Sequence, residues 1–267
     1  GDTAKTDGTY LYVLKDKSDQ IAIIDTRDNR MKQTATITVE DVSEIQEMYL
    51  DIERNQLIAV CDGYVGGKWN DDDYGYGQRA NTTAVTYDIS DRENPKEVGR
   101  VSQSGYYNSS RIADGYLYLF SDYYVTLDGI TAKNPKSYIP LVNDNLIKET
   151  DICLPSISKA DMYSIITSVS LENPNETAHS KALLADGGNL YVSNDNIYFY
   201  ENVWQYSGKD VTTIRKVSYE SGKLTAGAQC KIDGYINDSF SIDEYDGYLR
   251  VVVTDGDTNS VYVLNQE

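Results

Sequence analysis

The sequence predicts an all-β fold: a β-propeller segment of about five blade-like, four-stranded antiparallel repeats, the last of them incomplete. Three observations predict it. Short β-rich runs are joined at intervals by turn dipeptides, Asp7-Gly8, Arg54-Asn55, Asp114-Gly115, Asp195-Asn196 and Asp246-Gly247. Aspartate followed by glycine accepts the two positive-φ positions of a type I′ turn at little cost, and flanking apolar alternation makes such a dipeptide a hairpin signal. After each turn the same order of strands restarts, at a period of roughly 45–60 residues, one unit being longer by insertion. Gly105-Tyr106-Tyr107-Asn108 opens the third unit as Gly234-Tyr235-Ile236-Asn237 opens the fifth. A β-sandwich also has many short strands, but nothing in that architecture restarts one hairpin, third strand and fourth strand five times.

The first unit is read as Thr3 to Thr6, Tyr10 to Leu14, Gln20 to Asp25 and Met31 to Thr38. The second has Glu47 to Ile52, Leu57 to Cys61, Thr82 to Asp88 and Lys96 to Val101. In the third, Tyr107 to Ile112 and Tyr116 to Ser121 are followed by Ser164 to Leu171 and Ser180 to Leu184. The fourth runs through Asn189 to Ser193, Ile197 to Tyr200, Thr212 to Tyr219 and Leu224 to Lys231. The fifth, organised around the Asp246-Gly247 turn, continues through Tyr248 to Thr254 and Ser260 to Leu264 and lacks an outer strand. Residues 1–267 form one domain, with blades near 3–40, 43–103, 106–186, 188–233 and 236–267; five dispersed prolines mark no linker.

A formal charge of −18 argues against nucleic acid or anionic lipid as a partner. Tyrosine numbers 24 against 3 phenylalanines, which suits strands and amphipathic contact surfaces. Cys61, Cys153 and Cys230 form no metal or disulfide framework and read as small buried hydrophobes, with one disulfide left open. No apolar run reaches membrane-spanning length, and the start at Gly1-Asp2-Thr3 reads as trimmed.

The segments GYYNSSRIADGYLYLF (residues 105–120), TTIRKVSYESGKL (212–224) and SFSIDEYDGYLRVVVT (239–254), with AKTDGTYLYVL near the start, closely resemble the bacterial and archaeal secreted β-propeller domain family. The resemblance covers essentially the whole chain. It implies a propeller outside the cell or at its surface, often on a protein with a membrane or wall anchor. Domains of that family continue past the point matching Leu264, and the family implies no particular activity.

In a four-stranded meander the second-to-third loops lie on the same face as the links between blades. The long excursions Asp62 to Asn81 and Asp122 to Tyr163 are therefore expected on one face, as is the loop carrying Trp204 and Tyr206. Long ordered loops commonly carry function. The candidate ligand-binding residues are Trp69, Tyr74, Tyr76, Tyr123, Tyr124, Trp204 and Tyr206. Catalytic material is thin. The one histidine, His179, is read as a solvent-facing edge residue, and no phosphate loop is present.

Asp71, Asp72 and Asp73 beside Trp69 suit either a sugar site or a solvated acidic loop. Arg111, Glu244 and Arg250 are expected to form structural ion pairs near the axis. Asp255, Asp257 and Asn259 place oxygen side chains at alternate positions, a candidate calcium site without the distal glutamate of an EF-hand; a polar hairpin loop is the alternative. No other cofactor is expected. The leading functional expectation is a non-catalytic extracellular module presenting an aromatic, acidic face to a peptide, protein or glycan. The alternative is a carbohydrate-active enzyme using carboxylates of that face.

Overall fold

Asp114 and Gly115 sit at φ 52° and 78°, Asp246 and Gly247 at 51° and 75°. Both dipeptides thus hold the paired left-handed residues of a type I′ hairpin, as their chemistry predicts. The fourth unit turns differently. No positive φ occurs at Asp195 or Asn196; instead the Ser193 hydroxyl accepts the Asn196 N–H at 3.0 Å.

The computed structural model describes residues 3–16, 19–27, 31–64, 80–125, 130–131, 133–154, 160–185, 189–204 and 210–265. Blade 1 comprises β1 (Ala4–Thr6), β2 (Tyr10–Leu14), β3 (Gln20–Asp25) and β4 (Lys32–Thr38). Blade 2 has β5 (Glu44–Asp51), β6 (Gln56–Tyr64), β7 (Ala80–Asp88) and β8 (Lys96–Ser104). Blade 3 begins with β9 (Tyr106–Ala113) and β10 (Tyr116–Tyr124). An excursion follows with β11 (Leu141–Val142), β12 (Asn145–Leu146) and β13 (Ile152–Cys153), before β14 (Met162–Ser170) and β15 (Thr177–Ala185). Blade 4 is β16 (Asn189–Val192), β17 (Asn196–Trp204), β18 (Asp210–Glu220) and β19 (Lys223–Asp233). Blade 5 is β20 (Ile242–Tyr245), β21 (Tyr248–Asp255) and β22 (Thr258–Leu264).

Consecutive blades pack face to face, and the core lies between them. Blades 1 and 2 enclose Ile21, Ile23, Met48, Leu57 and Val85. Blades 2 and 3 share Ile58, Val60, Leu117 and Leu119, blades 3 and 4 share Phe120, Ile166, Phe199 and Val217, and blades 4 and 5 share Tyr200, Ile214, Val251 and Val253. Strand alternation sends one set of side chains to each neighbour. Tyrosine recurs here because its ring fills the interlayer while its hydroxyl reaches the next blade. Tyr118, 1% exposed, accepts the Gly222 N–H of blade 4 at 3.0 Å. Tyr12 sits equivalently, its hydroxyl 3.3 Å from Nε of Arg92 on blade 2.

Tyr12 also donates to Asp7 Oδ2, which takes a second bond from Arg92 Nη2 at 3.1 Å. Burial alone would raise the Asp7 pKa. The backbone N–H groups of Tyr10 and Thr9, with Arg92 and Tyr12, outweigh it and hold the carboxyl below its ordinary value. A depressed carboxylate contributes stability above its unfolded pKa and loses it as pH falls through the folded value. Asp7→Asn is therefore expected to flatten the acid limb of the urea midpoint below about pH 4. An unchanged acid limb would remove Asp7 from that role.

The excursion of blade 3 corrects the expectation that it decorates one face. Its described part runs outward along the blade edges: β11 pairs with β8 through Val142 and Gln103, and β13 lies parallel to β15, Ile152 against Ala182. Unpaired edge groups of two outer strands recruit it. At blade 5, β22 has no fourth strand beside it among the described residues. On the face of blade 5 turned away from blade 4, Val252 of β21 and Val261 and Val263 of β22 stand 44%, 68% and 62% exposed. No helix among the described residues is long and apolar enough to cross a membrane.

Candidate functional site

The seventh residue of the second strand is Asp62 in blade 2, Asp122 in blade 3 and Asn202 in blade 4. Each faces a hydroxyl residue on the third strand, Thr82, Ser164 and Thr212. These positions lie at the end of the blade where the chain crosses to the next sheet, and those of blades 2 and 4 build the crossing. Gly105 donates its N–H to Ala80 O at 2.7 Å and accepts from the Thr82 hydroxyl at 3.0 Å. Two residues on, the Tyr107 N–H donates to Asp62 Oδ1 at 2.7 Å.

The same clasp joins blade 4 to blade 5. Gly234 N–H bonds Asp210 O at 2.8 Å, the Thr212 hydroxyl lies 2.7 Å from Gly234 O, and Ile236 N–H donates to Asn202 Oδ1 at 3.0 Å. Asn202 then returns its own amide N–H to Ile236 O at 2.8 Å. Gly105 and Gly234 hold φ of 97° and 96°, a region other residues enter only with strain. The repeated glycine in the two opening motifs is thus explained by backbone conformation.

Asp122 accepts from Asn108 Nδ2 at 2.6 Å and from the Ser164 hydroxyl at 3.0 Å. Asp62 takes a second bond from Gln46 Nε2 at 3.0 Å. Burial pushes both carboxyls above their ordinary pKa, and those hydrogen bonds only partly offset it. A raised carboxyl stabilises the fold below its unfolded pKa and loses that contribution as pH rises through the folded value. Asp62→Asn, which installs the blade 4 residue, is therefore expected to keep the fold and to raise stability at pH 8 relative to pH 4. A loss of stability at pH 8 would show that the charge, rather than its acceptor oxygens, is needed.

Around these acids stand Tyr64, Tyr106 and Tyr124. Burial first, then Tyr64 and Asp62 nearby, raise the Tyr106 hydroxyl, which hydrogen-bonds Tyr64. Tyr124 is 50% exposed, and its hydroxyl is raised by partial burial and by the charges of Asp122 and Asp161. This end of blades 2 and 3 is an aromatic, acidic rim.

Of the residues expected from sequence, Trp69, Tyr74, Tyr76 and Tyr206, with Asp71, Asp72 and Asp73, lie outside the described residues. Trp204 is the last residue of β17. Tyr123 corrects the expectation of a ligand-facing ring: it is 2% exposed, its ring 6.4 Å from that of Tyr163. The strand β10 continues through Tyr124, so alternation turns Tyr123 inward and Tyr124 outward.

Arg111, Glu244 and Arg250 have separate partners instead of one network. Arg250 pairs with Asp243 directly across the strand and lies over the Tyr245 ring. Glu244, one residue on, points the other way and accepts from Ser193 and from Asn196 Nδ2. Arg111 reaches Asn194 Oδ1 at 3.3 Å.

The calcium expectation is also corrected in geometry. Gly256 and Asp257 form the turn between Asp255 and Thr258, so Asn259, paired with Thr254, falls on the opposite face from Asp255. The three oxygens do not converge, and the Asn259 Oδ1 accepts from the Thr254 hydroxyl at 2.9 Å. Among the described residues no cluster of three His, Cys, Asp or Glu could hold a metal ion.

His179 bridges two blades rather than facing solvent at an edge. Its Nε2 lies 3.2 Å from Asp151 Oδ1 and its Nδ1 accepts the Leu224 N–H at 3.0 Å. Both ring nitrogens are thereby occupied. Cys61, Cys153 and Cys230 are free thiols, and burial pushes Cys61 up to about 12.

Asp62 and Asp122 were missed as site residues by sequence reasoning. The signal was present in the aligned strands Gln56–Tyr64, Tyr116–Tyr124 and Asn196–Trp204, where an oxygen-bearing side chain recurs at one position.

Comparison with known proteins gives a match to the beta propeller domain over residues 1–267. The chain belongs to that family. Two archaeal relatives of this propeller are uncharacterized proteins. One, from Methanocaldococcus jannaschii, is 32% identical over 83 residues, 28% of this chain and 12% of the relative. The other, from Archaeoglobus fulgidus, is 32% identical over 90 residues, 33% of this chain and 14% of the relative. The matches thus span a small part of those proteins' lengths.

Among solved structures, Kuenenia stuttgartiensis hydrazine synthase is similar at TM-score 0.42 and 10% identity, over 98% of this propeller and 70% of that chain. A hypothetical selenium-binding protein from Sulfolobus tokodaii gives 0.41 and 14%, over 94% and 55%.

Proposed function

We propose that this propeller is a non-catalytic binding module outside the cell, presenting an aromatic, acidic rim to a protein, peptide or glycan. One observation carries the reading. At a single strand position Asp62 and Asn202 accept the same backbone N–H bond from the next blade, an acid in one case and an amide in the other. A carboxamide is neither an acid nor a base near neutral pH, so this latch needs an acceptor oxygen and not acid–base chemistry. His179, with both nitrogens bonded, supports the same reading. The extracellular setting rests on the resemblance to secreted propellers.

Exposed Tyr124 and its neighbours Tyr64 and Tyr106 supply rigid amphipathic area of the kind that anchors interfaces. Probing peptide and glycan arrays with the purified chain is expected to give binders that Tyr124→Ala weakens by about tenfold without shifting the melting temperature. Arrays blank at every position would overturn the reading.

A second reading, a carbohydrate-active enzyme, is favoured by the raised carboxyls of Asp62 and Asp122 at one end of adjacent blades. It predicts hydrolysis of chromogenic glycosides that Asp62→Asn and Asp122→Asn each abolish. No hydrolysis of any glycoside would exclude it, and turnover surviving both variants would remove these two acids from the chemistry.

A further inference from the structure

Resting on the reading of this chain as a binding module, we infer that the cleft between blade 2 and the inserted β11–β12 hairpin is a site for a neutral saccharide. Its volume is about 660 Å³, inside the about 300–1,000 Å³ of small-ligand sites. One wall is the outer strand β8, through Arg100 and Ser102; another is the hairpin turn Asn143-Asp144; Asp41 closes the blade 1 side.

The walls are held before any ligand arrives. Asn143 and Asp144 take φ of 46° and 61°, and the Asn143 N–H donates to Ser102 O at 2.9 Å while its Oδ1 accepts the Ser102 N–H at 2.9 Å. Arg100 is fixed by two 2.9 Å bonds to Glu97 and by one of 3.2 Å to the Glu40 carbonyl. Those bonds engage three of the five donors of a guanidinium, and its charge is met by Glu97. Such prior ordering lowers the entropy lost on binding.

The chemistry of the walls selects the ligand. Acceptors (Asp41, Asp144 and Asn81, whose Oδ1 is buried without a partner among the described residues) share the lining with donors on Arg100 and Ser102. A ligand whose every hydroxyl both donates and accepts satisfies both sets, which is the property of a sugar. Tyr64 adds aromatic surface to the lining. Acidic sugars are opposed by Asp41 and Asp144 together with the overall charge of −18.

The test titrates the purified chain with maltotriose, cellotriose and xylotriose, and separately with a trigalacturonate and with spermidine, following backbone amide shifts by NMR. At least one neutral trisaccharide is expected to shift Asp41, Ser102 and Asn143. Arg100→Gln is expected to weaken it by about tenfold, the loss of a charge-assisted hydrogen bond. Because Arg100→Gln also loses Glu97, Ser102→Tyr serves as the second variant: it fills the cleft from a half-buried position on its wall and should abolish binding while the melting temperature holds. Binding of trigalacturonate or spermidine alone, no shift with any neutral trisaccharide, or shifts unaffected by Ser102→Tyr would overturn the inference. Array binders that leave the cleft amides unmoved would overturn the cleft and keep the module; blank arrays would remove both.

Discussion

Replacing Glu201 with alanine is expected to lower the unfolding free energy by about 3–5 kcal/mol, the loss seen when one partner of a buried ion pair is removed. Glu201 is 2% exposed on β17, and its Oε2 lies 3.0 Å from Arg215 Nη1 on the adjacent strand β18. Arg215 is itself only 11% exposed by its side chain. A guanidinium cannot shed its proton to escape burial, so truncating the acid leaves an uncompensated charge between blades.

Two companions separate charge from packing. Glu201→Gln, which keeps the shape, should lose less than alanine only if neighbouring hydrogen bonds contribute. Glu201→Leu combined with Arg215→Met should recover much of the loss, because an apolar pair removes both desolvation penalties. Urea unfolding measures all three. A change below about 1 kcal/mol for Glu201→Ala, the size of an exposed pair, would mean that water reaches Arg215.

Gly105→Ala is expected to be comparably damaging, at about 2–6 kcal/mol, the sum of backbone strain and overpacking. A Cβ there would stand 2.6 Å from Asp122 O and 2.8 Å from Tyr123 N, all of it backbone of β10, with φ at +97°. Backbone paired on both sides cannot yield without opening the ladder to β14. Gly8 is the control, since its φ of +88° meets nothing within 4 Å. Gly8→Ala should cost about 1 kcal/mol from conformation alone. Equal losses at the two sites would show that the crossing between blades is loose and that Gly105 acts only through its φ.

Much of the architecture was legible in the chain, and particular residues show why. Asp114-Gly115 and Asp246-Gly247 announce their turns because a hairpin turn depends on the φ preferences of two adjacent residues. The strands β14 and β15 were placed despite the long excursion before them, since period-two apolar runs and β-branched residues carry their own signal. The site was legible only in part. The recurrence at Asp62, Asp122 and Asn202 stands in the sequence, but its meaning lies in donors from Tyr107 and Ile236 on other blades. Tyr123 and Tyr124 could not be told apart without knowing how far β10 runs.

The amino-acid order alone therefore determined the repeat, its turns and the strand sequence of each blade, because these follow from side-chain alternation and local backbone preference. Only the tertiary structure decided which polar groups meet. Whether Asp62 latches Tyr107, whether His179 spans to Leu224, and whether the hairpin at Leu141 closes over β8 depend on contacts between distant parts of the chain. Burial and pairing of such groups are set by what lies across the gap between two sheets, and no local pattern of residues encodes that.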